Sequence, residues 1–260
     1  MWEEMDSCSV PLAATTLKMC GRYANAQPPR QFTAAVRDRL RRRDRVQRGE
    51  DNAESSKAAQ QEDASQSKDT HSDDADFIVS RVEEGDYHPT HNVSPSSRAP
   101  ILRLEKPVPL PLDGEVNEVP KEGNDLIIEC MRWGLLPART TSIPHGVDAL
   151  RTINARDDSV MSGQSMWTPL LKKGKRCIVF CQGFYEWLKK PDGTRIAHFC
   201  GMEDEGNGRV DVHGKQRALM PMAGLYEQCT IDGQPFLSFT IITTESNKQL
   251  NFLVSNLFRR

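Results

Sequence analysis

The chain has 260 residues, a formal net charge of −2 and a hydrophobic content of 37%, enough for one large folded core or two small ones. The charge is unevenly spread. Residues 50–86 carry 12 acidic side chains against 3 basic ones, which leaves 31 basic and 24 acidic residues elsewhere, so a basic body compatible with phosphate binding carries an acidic insert. No apolar run is long enough to span a bilayer, and Glu3, Glu4 and Asp6 give the first residues the wrong sign for a secretory or transit peptide. These features argue against membrane and secreted classes, and the seven cysteines are expected to be reduced thiols of the nucleus or cytoplasm.

In chain order, residues 1–18 show no strong period and are expected to be an N-terminal extension. The next stretch, Met19-Cys20-Gly21-Arg22-Tyr23, has unusual chemical potential. If translation starts at Met19 and that residue is trimmed, or the chain is cut between Met19 and Cys20, Cys20 carries a free α-amine beside its thiol. Such an aminothiol condenses with an aldehyde to a Schiff base, and the sulfur then closes a thiazolidine. The α-amine titrates near 7.7–8.0 and the thiol near 8.5 in their unperturbed states, so both are available close to neutral pH. Taken alone, Cys20 reads equally as a small buried strand residue.

The spacing of Phe32, Ala35/Val36 and Leu40 suits a helix within Arg30–Arg48, whose arginine-rich end reads as a solvated face. Residues 49–76, rich in Ser, Gln, Asp, Glu and Ala, are expected to be a disordered insertion. Order returns at Phe77-Ile78-Val79, Tyr87–Pro95 reads as turn, and Pro100–Leu104 as a short strand. Leu126–Trp133 reads as a strand that breaks at Gly134, and residues 167–173 as a helical turn packed by Trp167. Cys177–Phe180 is a buried strand leading into Gly183-Phe184-Tyr185-Glu186-Trp187. Pro191-Asp192-Gly193 joins the Tyr185–Leu188 and Ile196–Phe199 strands, and Asp232-Gly233 joins Met220–Tyr226 to Leu237–Thr243. Many short hairpin-linked strands and few helices predict an antiparallel, β-rich α+β fold.

Six motifs occur in order: Cys20-Gly21-Arg22-Tyr23, Trp133-Gly134-Leu135-Leu136-Pro137, Asn154-Ala155-Arg156, Arg176-Cys177 through Gly183–Trp187, Ala223-Gly224-Leu225-Tyr226 and Phe239–Thr244. Together they strongly resemble the SOS-response-associated peptidase (SRAP) family. The resemblance implies a SRAP-like fold of barrel-like sheets over residues 19–247, with 248–260 as a divergent tail. It also implies a sensor that captures abasic sites in single-stranded DNA as a covalent thiazolidine on an N-terminal cysteine, and that cuts its own N-terminus. On this resemblance Cys20 is the nucleophile, Glu186 the proton-transferring carboxylate and Asn154 a hydrogen-bonding partner of the α-amine or opened sugar. Arg22 and Arg156 map onto phosphate-gripping arginines. The residues around Glu186 (Phe184, Tyr185 and Trp187) suggest an apolar aromatic setting that would raise its pKa. Trp133 and Trp187 suit stacking on exposed bases, and a core position is open to both, for Trp133 equally well.

Cys177-x3-Cys181 with Cys200 and Cys229 lacks the paired knuckles of a zinc site, so neither metal nor cofactor is expected. The expected partner is single-stranded DNA with abasic sites, bound by a monomer. The family continues beyond its last threonine-rich strand into a His-x-Arg-Met-Pro segment. Here the sequence runs Asn247–Arg260 without it, so an incomplete C-terminal part is expected, with weaker hydrolase and ring-opening roles. Two alternatives remain open: a cysteine peptidase acting on its own N-terminus or on peptides, and an inactive single-stranded-DNA-binding remnant.

Overall fold

Runs of β-branched and aromatic residues dictate a strand-built protein, and among the described residues 13 strands are formed around few helical turns. The computed structural model describes residues 21–30, 32, 33, 36, 79–83, 85–110, 125–202, 209, 210 and 216–245. The N-terminal extension, Cys20, the insertion at 49–76 and the tail at 248–260 lie outside the described residues, as do Phe77, Ile78 and the whole arginine-rich run after Val36.

The strands are β1 (Tyr23–Asn25), β2 (Val79–Val82), β3 (Thr90–Val93), β4 (Arg98–Leu104), β5 (Leu126–Trp133) and β6 (Asn154–Arg156). After them come β7 (Arg176–Cys181), β8 (Gly183–Lys189), β9 (Arg195–Cys200), β10 (Arg209–Val210), β11 (Gln216–Arg217), β12 (Met220–Ile231) and β13 (Gln234–Thr243). A 3-10 turn covers Gly146–Leu150, and two short helices follow, α1 (Asp157–Met161) and α2 (Thr168–Lys172). Both predicted hairpins form, joining β8 to β9 and β12 to β13. Thr90–Val93 corrects the turn expected over Tyr87–Pro95, because its backbone is captured by the edge of β1.

One sheet runs β5-β4-β7-β12-β13, and β13 returns to β5 through Ser238↔Arg132 and Phe239↔Trp133, which closes a five-stranded barrel. The hairpin-linked pairs are antiparallel as expected, and three parallel pairings are added: β5–β13, β2–β5 and β6–β13. A second sheet, ordered β3-β1-β8-β9, leans on the barrel, and the chain crosses from one to the other at Gln182 between β7 and β8. Gln182 fixes that corner, since its Oε1 accepts from Ala26 N–H at 2.9 Å and its own N–H donates to Ala24 C=O at 2.8 Å.

Alternation along the strands sorts the core. On β4, Ile101 joins the main cluster with Trp133, Phe184, Phe239 and Tyr23, whereas Leu102 turns outward to a second cluster with Phe32, Val36 and Phe180. Phe32 and Phe180 stack with centroids 5.7 Å apart. Strand β5 is buried along its whole length, which explains its near-continuous apolar run. It also carries Glu129, paired with Arg103 at 2.8 Å where both side chains are nearly buried. The helices α1 and α2 cover a third cluster around Trp167, Leu170 and Leu225.

Candidate functional site

The N-terminal motif becomes the middle of the second sheet. Tyr23 pairs with Phe184, and Tyr185 N–H donates to Arg22 C=O at 3.0 Å, so the ladder continues back past the start of β1. Counting on in that antiparallel register sets Gly21 level with Glu186. Gly21 has a φ of +78°, a conformation that favours glycine, and a Cβ there would lie 3.5 Å from Ile153 and 3.7 Å from Pro95. The chain at Gly21 therefore meets the residue just before Asn154. Cys20, bonded to Gly21, lies outside the described residues.

Glu186 is 4% exposed, an uncommon degree of burial for a carboxylate, and its Oε1 is shielded from solvent. Its surroundings correct the expected aromatic setting. Successive strand residues point to opposite faces, so Tyr185 and Trp187 stand on the far side of β8, while Phe184 and Leu188 share the face of Glu186. Directly across the strand pair is His198, whose Nε2 is also shielded and whose pKa is lowered by burial. Sequence reading missed His198, because only the hairpin register brings it opposite Glu186.

Asn154 lies on β6 in parallel pairing with Ile241 of β13, half-buried, with its Oδ1 out of contact with solvent. Beside it, Ile153 C=O accepts two donors, Trp133 Nε1–H at 2.9 Å and Ile241 N–H at 3.1 Å. Trp133 is fully buried, and its ring meets Tyr23 edge-on at 5.1 Å. Of its two expected roles, the structure supports the core one. A base cannot stack on a ring whose faces are already covered by the barrel interior.

Arg22 extends beside the site and donates from Nη1 to Asn92 Oδ1 at 3.0 Å. Arg156 is exposed but engaged. Its Nε and Nη2 reach both oxygens of Asp158 at 2.7–3.1 Å, and Glu245 lies 4.0 Å away. That hydrogen-bonded pair raises the Arg156 pKa and holds Asp158 below the usual carboxylate range. A phosphate at Arg156 must share or displace Asp158. Trp187 is half-buried on the outer face of β8, 6.3 Å from Tyr185, which itself packs edge-on against Phe199 at 5.1 Å. The structure thus brings Gly21 to the residue before Asn154 and level with Glu186, with Arg22 adjoining and Trp133 buried beneath, and places Trp187 on the opposite face of β8. Among the described residues, no three His, Cys, Asp or Glu side chains gather as metal ligands.

The sequence profile described as SOS response associated peptidase (SRAP) matches residues 19–255, nearly the whole chain. The chain belongs to that family. It is 30% identical over 181 residues to "Abasic site processing protein HMCES" of Gallus gallus, covering 66% of this chain and 50% of that one. It is 32% identical over 166 residues to "Abasic site processing protein YoqW" of Bacillus subtilis, covering 64% and 59% respectively. The chain spans about half the length of the curated relatives it matches. A solved protein structure from Bacteroides thetaiotaomicron matches 67% of this SRAP chain and 62% of its own, at 21% identity and a TM-score of 0.45.

Proposed function

We propose that this SRAP chain captures abasic sites in single-stranded DNA as a covalent adduct on Cys20, and that it acts in the nucleus as a monomer. The observation that carries the reading is the convergence of three sequence-distant motifs. Gly21 meets Ile153 just before Asn154, and stands level in register with the buried Glu186. Relatives named for abasic-site processing point the same way.

The reaction needs Cys20 at the chain terminus. Its α-amine attacks the aldehyde carbon of the opened deoxyribose, and loss of water gives an imine. The thiol sulfur then adds to the imine carbon while its proton passes to nitrogen, closing a thiazolidine. The balance is protein plus DNA minus one water. Glu186 suits the proton transfers, since a carboxylate removed from solvent can hold and return a proton beside the reacting amine. Asn154 suits orienting the amine or sugar hydroxyl, because an amide donates and accepts without titrating. Hydrolysis of the Met19–Cys20 peptide bond, with one water consumed, residues 1–19 leaving as a carboxylate and Cys20 keeping the α-amine, is the family-type route to that terminus.

The test is the intact mass of a chain beginning at Cys20, mixed with an oligonucleotide bearing one abasic site. The expected product gains the oligonucleotide mass less water and survives denaturation, and Cys20→Ser abolishes it. No adduct from the chain that starts at Cys20 would overturn the proposal.

A further inference from the structure

The hairpin of β8 and β9 is locked in register at both ends. At the turn, Lys190 N–H donates to Thr194 C=O at 2.8 Å, and Asp192 Oδ1 accepts from Thr194 N–H at 2.8 Å. At the open end, a Cβ on Gly183 would lie 2.3 Å from the Phe199 ring and 2.6 Å from the Cys200 carbonyl oxygen, so only glycine lets β9 lie this close. The register runs without a bulge from Phe184↔Cys200 to Leu188↔Ile196, and it sets Glu186 directly opposite His198. Opposed residues share a face with Cβ atoms about 4.5–5.5 Å apart, which puts an imidazole N–H within reach of a carboxylate.

Glu186 is removed from water, and a carboxylate so placed is costly to ionise unless N–H donors reach it. His198 is half-buried with its Nε2 shielded from solvent. Burial lowers its pKa, which keeps the ring neutral near pH 7, a hydrogen-bond donor rather than a counter-ion. Among the described residues, the other titratable groups on this face are Tyr23 on β1 and Cys200 on β9, which flank Phe184 one step along. Tyr23 and its neighbour Cys181 on β7 are held neutral by burial. Gly21, level with Glu186, brings no side chain to the face, and Arg22 is engaged with Asn92.

We propose that His198 is a positioning residue for the capture reaction: its imidazole donates to the Glu186 carboxylate across the hairpin, holding that group ionised and fixed beside Gly21. A carboxylate held this way takes a proton from the attacking amine and returns it to the departing water. The use of the pair in capture rests on the reading above, whereas the pairing itself does not.

The test follows the Glu186 carboxyl by carbon-13 NMR in the full chain, labelled at glutamate and assigned by the signal lost in Glu186→Gln, as pH is varied. His198→Phe and His198→Leu remove the donor. Each is expected to raise the Glu186 midpoint by about one pH unit, the size of one lost hydrogen bond to a charged group. His198→Gln keeps an N–H that does not titrate, so it should return the midpoint most of the way to wild type, which a space-filling role would not require. Adduct formation by the chain that begins at Cys20 reads the same effect in the reaction. The ratio of variant to wild-type rate cancels the titration of the α-amine. For His198→Phe it should stay near one at pH 8 and fall by up to about tenfold toward pH 5. The proposal is overturned if the three variants, folded as judged by wild-type near-ultraviolet circular dichroism, leave the Glu186 midpoint unmoved or lowered, or if Phe and Gln shift it equally. A midpoint that moves while the rate ratio stays flat would overturn the role in capture. A raised midpoint with no wild-type adduct would keep the pair and reject capture, and a wild-type adduct with an unmoved midpoint would do the reverse.

Discussion

Trp133→Phe tests whether this indole serves the core or the DNA, and the structure sets the size of the effect. The substitution removes the Nε1–H bond to Ile153 C=O, a net loss of about 1 kcal/mol. The carbonyl is not orphaned, because Ile241 N–H still reaches it at 3.1 Å. Shrinking the ring opens a void of about 40 Å³, which at about 24 cal/mol per Å³ costs about 1 kcal/mol, and the lost apolar burial adds about 1 kcal/mol more. The edge-on contact with Tyr23 is weakened rather than lost. The expected outcome is a loss of about 3 kcal/mol in urea unfolding followed by circular dichroism. Single-strand affinity, measured on the folded protein, should stay unchanged. Trp187→Ala should show the opposite profile, since its ring is half-buried on the outer face of β8. If it stacks on a base, its removal costs binding about 1–3 kcal/mol with little effect on unfolding. A Trp133→Phe protein that unfolds like wild type yet binds DNA poorly would refute the core assignment.

Three further outcomes follow from the charges and thiols. Burial lowers the His198 pKa, so the unfolded chain binds this proton more readily than the folded one. Stability should therefore fall as pH drops below about 6.5 and level off beneath the folded-state pKa, and His198→Phe should flatten that window in urea titrations at fixed ionic strength. Burial pushes the Cys181 thiol up to about 12 and raises Cys177 further, so at pH 8 the Cys181 thiolate is roughly one part in ten thousand. Native alkylation followed by peptide mapping should leave both unmodified while denatured protein labels fully, and rapid native labelling of Cys181 would contradict the closed barrel. Asp158→Asn releases Arg156 from its carboxylate partner, and if Arg156 grips phosphate this should tighten single-strand binding several-fold at low salt and steepen the salt slope by up to about 0.7. Unchanged binding would mean that Arg156 is held for structure alone.

Local pattern made the hairpins legible, and long-range pairing was hidden for a physical reason. Pro191-Asp192-Gly193 and Asp232-Gly233 announce tight turns between alternating runs, and both hairpins form where those turns require. Strand β6 carries no such signal. Asn154-Ala155-Arg156 is too short to show a period, and it is extended only because β13 presents a free edge beyond the point where β5 leaves it. The same blindness distorted the picture of Glu186. Its sequence neighbours Tyr185 and Trp187 suggested an aromatic pocket, yet pleating sends both to the opposite face. What shares the face of Glu186 is His198, twelve residues away and on the other arm of the hairpin. Gly21 shows how the two levels meet. A glycine after a cysteine is unremarkable as text, but a φ of +78° beside Ile153 makes it the bend by which β1 turns toward Asn154. The site is therefore assembled by register rather than by sequence proximity. A change that slips β8 by one residue against its neighbours would send Glu186 to the outer face, away from His198 and Gly21, while leaving every motif intact.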